Sequence, residues 1–179
     1  MKRGILVLLV VLMVLGTGAM AAIDFTGWKQ VTVDESSVNS SSTTVFTVMI
    51  PPGTTEKTKD SSVGPTTFIT NDTGSLPTYA IYVMDNPIRQ KLSTGNAKDF
   101  LDNFMIGAGI TPFAADPIVV SDGVVMYGTM ENNTAGVYVL STDEKVSIIV
   151  GFYSSMDDAT AGIDNLAMIA GTVSITPAI

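Results

Sequence analysis

The sequence predicts an α+β fold, an antiparallel β-sheet flanked by two principal helices, from three features of the chain. Short runs rich in β-branched and aromatic residues, separated by turn-forming residues, recur along most of its length. Two stretches show the apolar period of about 3.6 residues that marks an amphipathic helix. Hairpin-like links between successive runs indicate that neighbouring strands pair antiparallel.

The segment Lys145–Ile175 combines these features most clearly. Val146–Tyr153 is a β-branched and aromatic run that is too short for a membrane span and typical of a central strand. A helix is expected next, with Gly171 as its left-handed C-terminal cap. Thr172–Ile175 then reads as a closing strand.

This second helix is predicted as one continuous element. Ser155 is its expected N-cap, and Asp157 and Asp158 lie in the first turn, where the helix dipole favours negative charge. Its apolar stripe consists of Ala159, Ile163, Leu166, Ala167 and Ala170. The two aspartates are explained by this role, so they do not indicate a catalytic or calcium-binding pair.

The first helix is predicted around residues 96–108. Asn96 is its expected N-cap, and Asp99 stands at the third helical position, as in a capping box. Its apolar face consists of Ala97, Phe100, Leu101, Phe104, Met105 and Ala108.

Runs of β-branched and aromatic residues between turn signals predict the remaining strands. These are Trp28–Val33, Thr44–Ile50, Thr66–Thr70, Thr78–Met84, Ile118–Val120, Val124–Met130 and Gly136–Leu140. The Ser/Thr-rich run Asp34–Thr44 is predicted to be a loop, and the polar run Thr54–Gly64 a solvated turn.

Residues 1–21 have the three parts of a signal peptide, a charged start, an 11-residue apolar stretch and the small-x-small pattern Ala19-Met20-Ala21. Cleavage after Ala21 would leave residues 22–179 as a single α+β domain that is secreted or held at the cell surface. Two alternatives remain open: an uncleaved signal anchor, because Ile5–Ile23 carries no charge, and the processing site of archaeal pilins, which the Lys-Arg-Gly start resembles.

Composition excludes several functions. The chain has neither cysteine nor histidine, so it has no disulfide, thiolate nucleophile, Ser-His-Asp triad or Cys/His zinc site.

The mature part of the chain is acidic. Without Lys2 and Arg3 of the leader, it has seven basic and 17 acidic residues, a net charge of −10. Such a surface repels nucleic acid and anionic lipid, and it would suit cations or basic partners. Contact with a membrane is expected only through an uncleaved N-terminal segment. No catalytic residue, cofactor or metal site is predicted.

Three sequons, at Asn39, Asn71 and Asn132, lie in polar, turn-like stretches and are candidate N-glycosylation sites. All five tyrosines fall in predicted strands, where core and cross-strand packing is the favoured role and an exposed stacking platform for sugars or peptides is the alternative. They are Tyr79, Tyr82, Tyr127, Tyr138 and Tyr153.

The order of elements resembles the Mog1/PsbP-like α/β family over roughly residues 25–176. The resemblance rests on Phe46–Gly53, a strand that ends in a Pro-Pro-Gly turn, on the helix Asn96–Ala108 and the antiparallel strands after it, and on the closing unit Val146–Ile175. The tryptophan that usually follows the Pro-Gly turn is replaced by Thr54. Members of that family bind protein partners, such as a small GTPase or photosystem subunits, and are not generally enzymes.

The resemblance implies a non-enzymatic binding domain, and the leader predicts export. The expected partner is therefore a protein or a cell-envelope component. An alternative is a structural subunit of a surface layer or filament. A further alternative is a hydrolase that uses only carboxylates, which needs two acids about 5–10 Å apart across a cleft.

Overall fold

The structure, a computed structural model, describes residues 25–35 and 44–176 of the chain. Its strands are β1 (Lys29–Asp34), β2 (Val45–Ile50), β3 (Thr54–Ser61), β4 (Gly64–Asn71), β5 (Thr78–Asp85), β6 (Thr111–Pro112), β7 (Ile118–Val120), β8 (Gly123–Met130), β9 (Asn133–Ser141), β10 (Lys145–Tyr153) and β11 (Ser174–Thr176). Its helices are α1 (Lys98–Gly107), α2 (Met156–Ala161) and α3 (Ile163–Thr172).

Two antiparallel sheets form the framework. The large sheet has the order β3-β4-β5-β10-β9-β8-β6, and β7 also pairs with β8. The small sheet has the order β1-β2-β11. The predicted α+β class, with its antiparallel sheet and two principal helices, is confirmed, and the run predicted as a central strand is β10, between β5 and β9.

Both faces of the large sheet are buried, because strand alternation sends successive apolar side chains to opposite sides. Ile148 and Val150 of β10 join the cluster beneath α1, which includes Leu101 and Met105. Ile149 points the other way, into a cluster with residues of α3 and the small sheet. The chain therefore has three layers, with the large sheet in the middle.

Helix α1 has the predicted apolar face but not the predicted start. Ala97, Leu101, Phe104 and Met105 are buried. The N-cap is Ala97 rather than Asn96, and no side chain caps the helix. The Asn96 amide is used in the preceding turn, where its oxygen accepts a hydrogen bond from the Ser93 N–H at 2.7 Å.

The second predicted helix begins as expected but is broken. The Ser155 hydroxyl accepts a hydrogen bond from the Asp158 N–H at 3.1 Å, as an N-cap does. Gly162 then separates α2 from α3. A Cβ at this position would lie 2.5 Å from Cε1 of Tyr153, so the glycine allows the backbone to pass close to that ring.

The predicted cap at Gly171 is wrong, since α3 continues to Thr172. The Thr172 hydroxyl donates to the Ile169 carbonyl at 2.8 Å and accepts from the Met49 N–H at 3.0 Å. The helix end is thus stabilised by a side chain that also reaches β2, and the closing strand starts only at Ser174.

The solvated turn predicted over Thr54–Gly64 is also wrong, because most of it is strand β3. Every residue of β3 pairs with β4, from Thr54 opposite Asn71 to Ser61 opposite Gly64. Threonine favours strands, and an edge strand can carry charges on its exposed side, so polarity hid the strand pattern. Most of the predicted loop Asp34–Thr44, and the whole leader, lie outside the described residues.

Candidate functional site

The outer edge of β8 is covered by two short strands with a bulge between them. Pro112 of β6 pairs with Gly128, and Ile118 of β7 pairs with Val125. Between these two pairs the outer segment advances six residues, from 112 to 118, while β8 covers only three, from 128 to 125. The extra residues of the outer segment form the bulge. Pro112 and Pro117 bracket this bulge, and proline has no N–H to donate to a ladder.

The bulge opens a shallow cleft of about 140 Å³ at the sheet edge. Apart from one carboxylate and one phenol, its lining is apolar, made by Phe113, Ala115, Asp116, Ile118, Val125, Met126, Tyr127 and Met156. A cavity of about 150 Å³ can hold a benzene ring, whereas sites for drug-sized molecules measure roughly 300–1,000 Å³. The cleft therefore has room for one large apolar side chain.

Large apolar side chains are exposed at this sheet edge, and three of them, Phe113, Ile118 and Met156, line the cleft. Phe113, Ile118, Val119 and Met156 are 39%, 50%, 61% and 41% exposed. They account for four of the five exposed large hydrophobic residues among those the structure describes, the fifth being Ile106 on α1. We call these four residues the edge patch. Clustered apolar exposure of this kind is typical of interaction sites.

Hydrogen bonds hold the edge patch on the sheet. The Phe113 N–H donates to the Tyr127 carbonyl at 2.9 Å, which ties the start of the bulge to β8. The Tyr138 hydroxyl donates to the Val120 carbonyl at 3.1 Å, which ties β7 to the large sheet. Met156 is the first residue of α2, directly after the capping Ser155.

The Tyr138 hydroxyl is suited to this role. Burial raises its pKa to about 12, with a further contribution from the negative charge of Asp122. The phenol therefore keeps its proton, and remains a donor, throughout the physiological pH range.

The surroundings of the edge patch are acidic. Four exposed aspartates lie in the segments that carry the edge patch or directly after them, and we call them the acidic rim. They are Asp116 in the bulge, Asp122 in the turn after β7, and Asp157 and Asp158 in the first turn of α2. Asp116 also lines the cleft. The sequence has no lysine or arginine between Lys98 and Lys145, and none after Lys145.

Lys98 is the basic residue that reaches this region. Its Nζ lies 3.4 Å from the Ala115 carbonyl oxygen and 3.2 Å from Oδ2 of Asp102, an ion pair within α1. Because its charge is already paired with Asp102, it leaves the acidic rim largely uncompensated.

The predicted carboxylate pair takes the helix-start role expected from the sequence. Asp157 and Asp158 lie in the first turn of α2, and Oδ2 of Asp158 accepts a hydrogen bond from the Ser155 hydroxyl at 2.8 Å. In the part of the chain that the structure describes, no group of three or more acidic residues could hold a metal ion. Over residues 25–35 and 44–176, no helix combines the length and apolar character that a membrane crossing requires.

The tyrosines have the packing role favoured from the sequence. Tyr79, Tyr82, Tyr138 and Tyr153 are buried, and Tyr127 is half-buried at the cleft. An exposed stacking platform for sugars is therefore wrong for these four. Burial raises the pKa of Tyr153, whose hydroxyl donates to the Gly162 carbonyl at 3.3 Å.

The sequons differ in setting. Asn132 is exposed in the turn between β8 and β9, whereas Asn71 is half-buried at the end of β4. The Asn71 side-chain oxygen accepts a hydrogen bond from the Thr73 hydroxyl at 3.3 Å. Asn39 lies outside the described residues. Glycosylation at all three positions stays a prediction.

One notable residue, Glu35, was hidden in the predicted Ser/Thr-rich loop. It follows β1, its side chain is 2% exposed, and its N–H donates to the Thr44 carbonyl at 3.1 Å. Its Oε1 has no hydrogen-bond partner among the described residues. Burial raises the pKa of this carboxyl from 4.5 to about 7.

Comparisons with known proteins found a similarity in structure but none in sequence. No protein-family model matches the chain, and no curated protein matches it in sequence. The structure is similar to the solution structure of cyanobacterial PsbP (CyanoP) from Synechocystis sp. PCC 6803. The TM-score is 0.47 at 9% identity, over 89% of this chain and 98% of that one. Likeness of this extent says nothing about what this chain binds.

Proposed function

We propose that the chain is an exported, non-enzymatic binding domain that holds a protein partner through the edge patch. The observation that supports this function is the clustering of three exposed apolar side chains, Phe113, Ile118 and Met156, around one cleft at a sheet edge, beside a fourth, Val119, on the same strand as Ile118. Fully burying an exposed apolar side chain contributes about 1.5–3 kcal/mol, and each of these partly exposed side chains would contribute a fraction of that. Export is supported by the leader pattern of residues 1–21.

The composition of the cleft favours binding over catalysis. Its lining contains one carboxylate, Asp116, among apolar side chains and the Tyr127 ring. Hydrolysis by carboxylates needs two such groups, one acid and one base or nucleophile. The chain has no histidine, which is the most common general base, and no cysteine nucleophile.

The test compares two isoleucines of similar exposure. The full chain is expressed in the cells that produce it, as wild type, Ile118→Asp or Ile106→Asp, and bound proteins are fixed by cross-linking before purification. Ile106 is 65% exposed but lies on α1, outside the edge patch, so it is the matched control. We expect Ile118→Asp to lower the recovery of the cross-linked partner at least tenfold and Ile106→Asp to leave it unchanged. Equal recovery with both variants would refute the proposal.

Export is tested by the N-terminal sequence of the protein from the cell envelope or medium. A start at Ala22 is expected. A start at Met1 in the membrane fraction would instead indicate a signal anchor. A start at Ile5 would indicate pilin-type processing and favour a filament subunit.

A further inference from the structure

We infer that the partner presents a single apolar side chain flanked by lysine or arginine residues on a polypeptide, and that this side chain enters the cleft beneath the edge patch. The inference rests on the proposed function and specifies the chemistry of the partner. Two independent observations support it, the size of the cleft and the aspartates in the segments that form it, which carry no lysine or arginine.

The size of the cleft sets the apolar part of the ligand. About 140 Å³ suits one ring or one branched aliphatic side chain. Phe113 and Ile118 line the cleft and are also exposed at its rim, so an entering side chain would bury their surfaces together with its own. Removing that side chain from the ligand should weaken binding at least tenfold, as expected for about 1.5–3 kcal/mol of burial.

The acidic rim sets the polar part. Asp116, Asp122 and Asp157 form no ion pair within 4 Å over the described ranges 25–35 and 44–176. An exposed ion pair contributes about 0.2–1 kcal/mol, so each lysine placed against the rim should strengthen binding up to about fivefold. The negative field also accelerates encounter with a cationic partner, and salt weakens this effect.

The same charges argue against a second copy of the chain. Pairing two β7 edges across a two-fold axis would bring the edge patches together, but also the two acidic rims. Like charges placed opposite each other are destabilising, and the chain as a whole is acidic. A cationic polypeptide satisfies both the cleft and the rim.

Synthetic peptides test this chemistry. The probe is a capped heptapeptide with a central phenylalanine, two lysines on each side and terminal glycines. One control replaces every lysine by glutamate, and another replaces the phenylalanine by alanine. Binding to the purified full chain is followed by amide chemical shifts and calorimetry. We expect the lysine–phenylalanine peptide to bind, with shifts confined to β7, the bulge and the start of α2, and both controls to bind at least tenfold more weakly.

Variants of the protein separate the two parts of the recognition. Ile118→Asn should weaken the peptide at least tenfold. Asp116→Asn and Asp157→Asn should weaken it about two- to fivefold each and reduce its salt dependence. Asp60→Asn, which removes an exposed charge at the end of β3, is the matched control and should change neither.

The outcomes distinguish this inference from the proposed function. Equal binding of the glutamate peptide, or no binding of any peptide while cross-linking in cells still depends on Ile118, would overturn the cationic partner and leave the binding function standing. If the wild-type chain is a dimer and Ile118→Asn makes it monomeric, the occupant of the cleft is a second copy of the chain, and the inference is overturned too. If neither the binding of the peptide nor the recovery of the cross-linked partner depends on Ile118, both proposals fail.

Discussion

The two edges of the large sheet block unwanted pairing in different ways. The edge at β3 is an unbroken strand with exposed Lys57 and Lys59, and Nζ of Lys59 lies 4.6 Å from the centre of the Phe68 ring. The edge at β6 and β7 is short and bulged, and it exposes the apolar Ile118 and Val119. Lysine and bulges are both known devices for protecting an edge.

The difference shows which apolar exposure calls for an explanation. At the β6–β7 edge the bulge and its prolines already interrupt pairing, so apolar side chains are not needed there for protection. Exposed lysines, such as those of β3, would protect that edge equally well. Instead, apolar side chains remain exposed beside a cleft that fits one more. Protection of the edge accounts for the bulge but not for the side chains, whereas the proposed binding of a partner would account for both.

The largest expected effect comes from detaching the β6 side of the bulged edge. In Gly128→Ala, the new Cβ would overlap the Thr111 carbonyl oxygen and lie 2.7 Å from Cε of Met105. We expect a loss of about 3 kcal/mol in the free energy of unfolding, at the upper end for overpacking. Denaturant titration measures it.

Gly171→Ala is the control for that substitution, because nothing lies within 4 Å of its Cβ position in α3. Alanine favours helices over glycine, so this variant should gain up to about 1 kcal/mol. Equal stabilities of the two variants would contradict the close packing described at β6.

The next effect concerns a charged group that is buried rather than exposed at an edge. The pKa of Glu35 is raised from 4.5 to about 7 by burial, so the folded chain binds a proton more tightly than the unfolded chain. The contribution of Glu35 to the free energy of unfolding is therefore fully present below about pH 4.5. It is lost as the pH rises through about 7, and the total loss is at most about 3 kcal/mol.

Glu35→Gln should remove this decline and make the chain more stable than wild type at pH 8. Glu144→Gln, at an exposed position, is the control and should keep the wild-type pH dependence. Unfolding curves at pH 5 and pH 8 compare the three proteins. A wild-type and a Glu35→Gln chain with the same pH dependence would show that the carboxyl is not buried as described.

A smaller effect should loosen β7 alone. Tyr138→Phe removes the hydrogen bond to the Val120 carbonyl, at a cost of about 1 kcal/mol. Hydrogen exchange should accelerate at the amides of β7 while β9, which carries Tyr138, stays protected. Uniform acceleration across the sheet would mean that this hydroxyl does not hold β7 in particular.

The smallest change in stability should come from making the β3 edge resemble the other one. Replacing Lys57 and Lys59 by valine loses the contact with Phe68, about 0.5–1 kcal/mol at an exposed site, and gains strand propensity. Unlike the edge patch, this long unbroken edge has no bulge, so we expect concentration-dependent association in sedimentation experiments. A variant that stays monomeric would show that lysine is not what protects this edge.

The sequence predicted the elements whose pattern is local. The apolar runs of β2, β5 and β10 and the apolar face of α1 depend on nearest neighbours along the chain, and all were found. Strand β3 was missed because an edge strand with one solvated side carries the polar residues of a turn. The cap at Asn96 was wrong because its amide found a partner in the preceding turn, which competes with capping.

The candidate site could not be predicted in the same way. Phe113, Tyr127 and Met156 come from three separate segments, and only the folded chain brings them to one cleft. A partial signal was present, because Ile118-Val119 places apolar residues on both faces of a strand between a proline and a turn. Glu35 continues the alternation of Val31 and Val33 on one face of β1, but its polar neighbours Asp34 and Ser36 favoured a loop.

The link between Thr172 and β2 has a consequence for how the chain is made. Met49 and Thr172 are 123 residues apart, and β11 completes the small sheet only when that distance has been synthesised. At about 5–20 residues per second, β2 waits roughly 6–25 seconds for its second neighbour. During that interval the side of β2 that β11 will cover is a free strand edge, and another chain can pair with it.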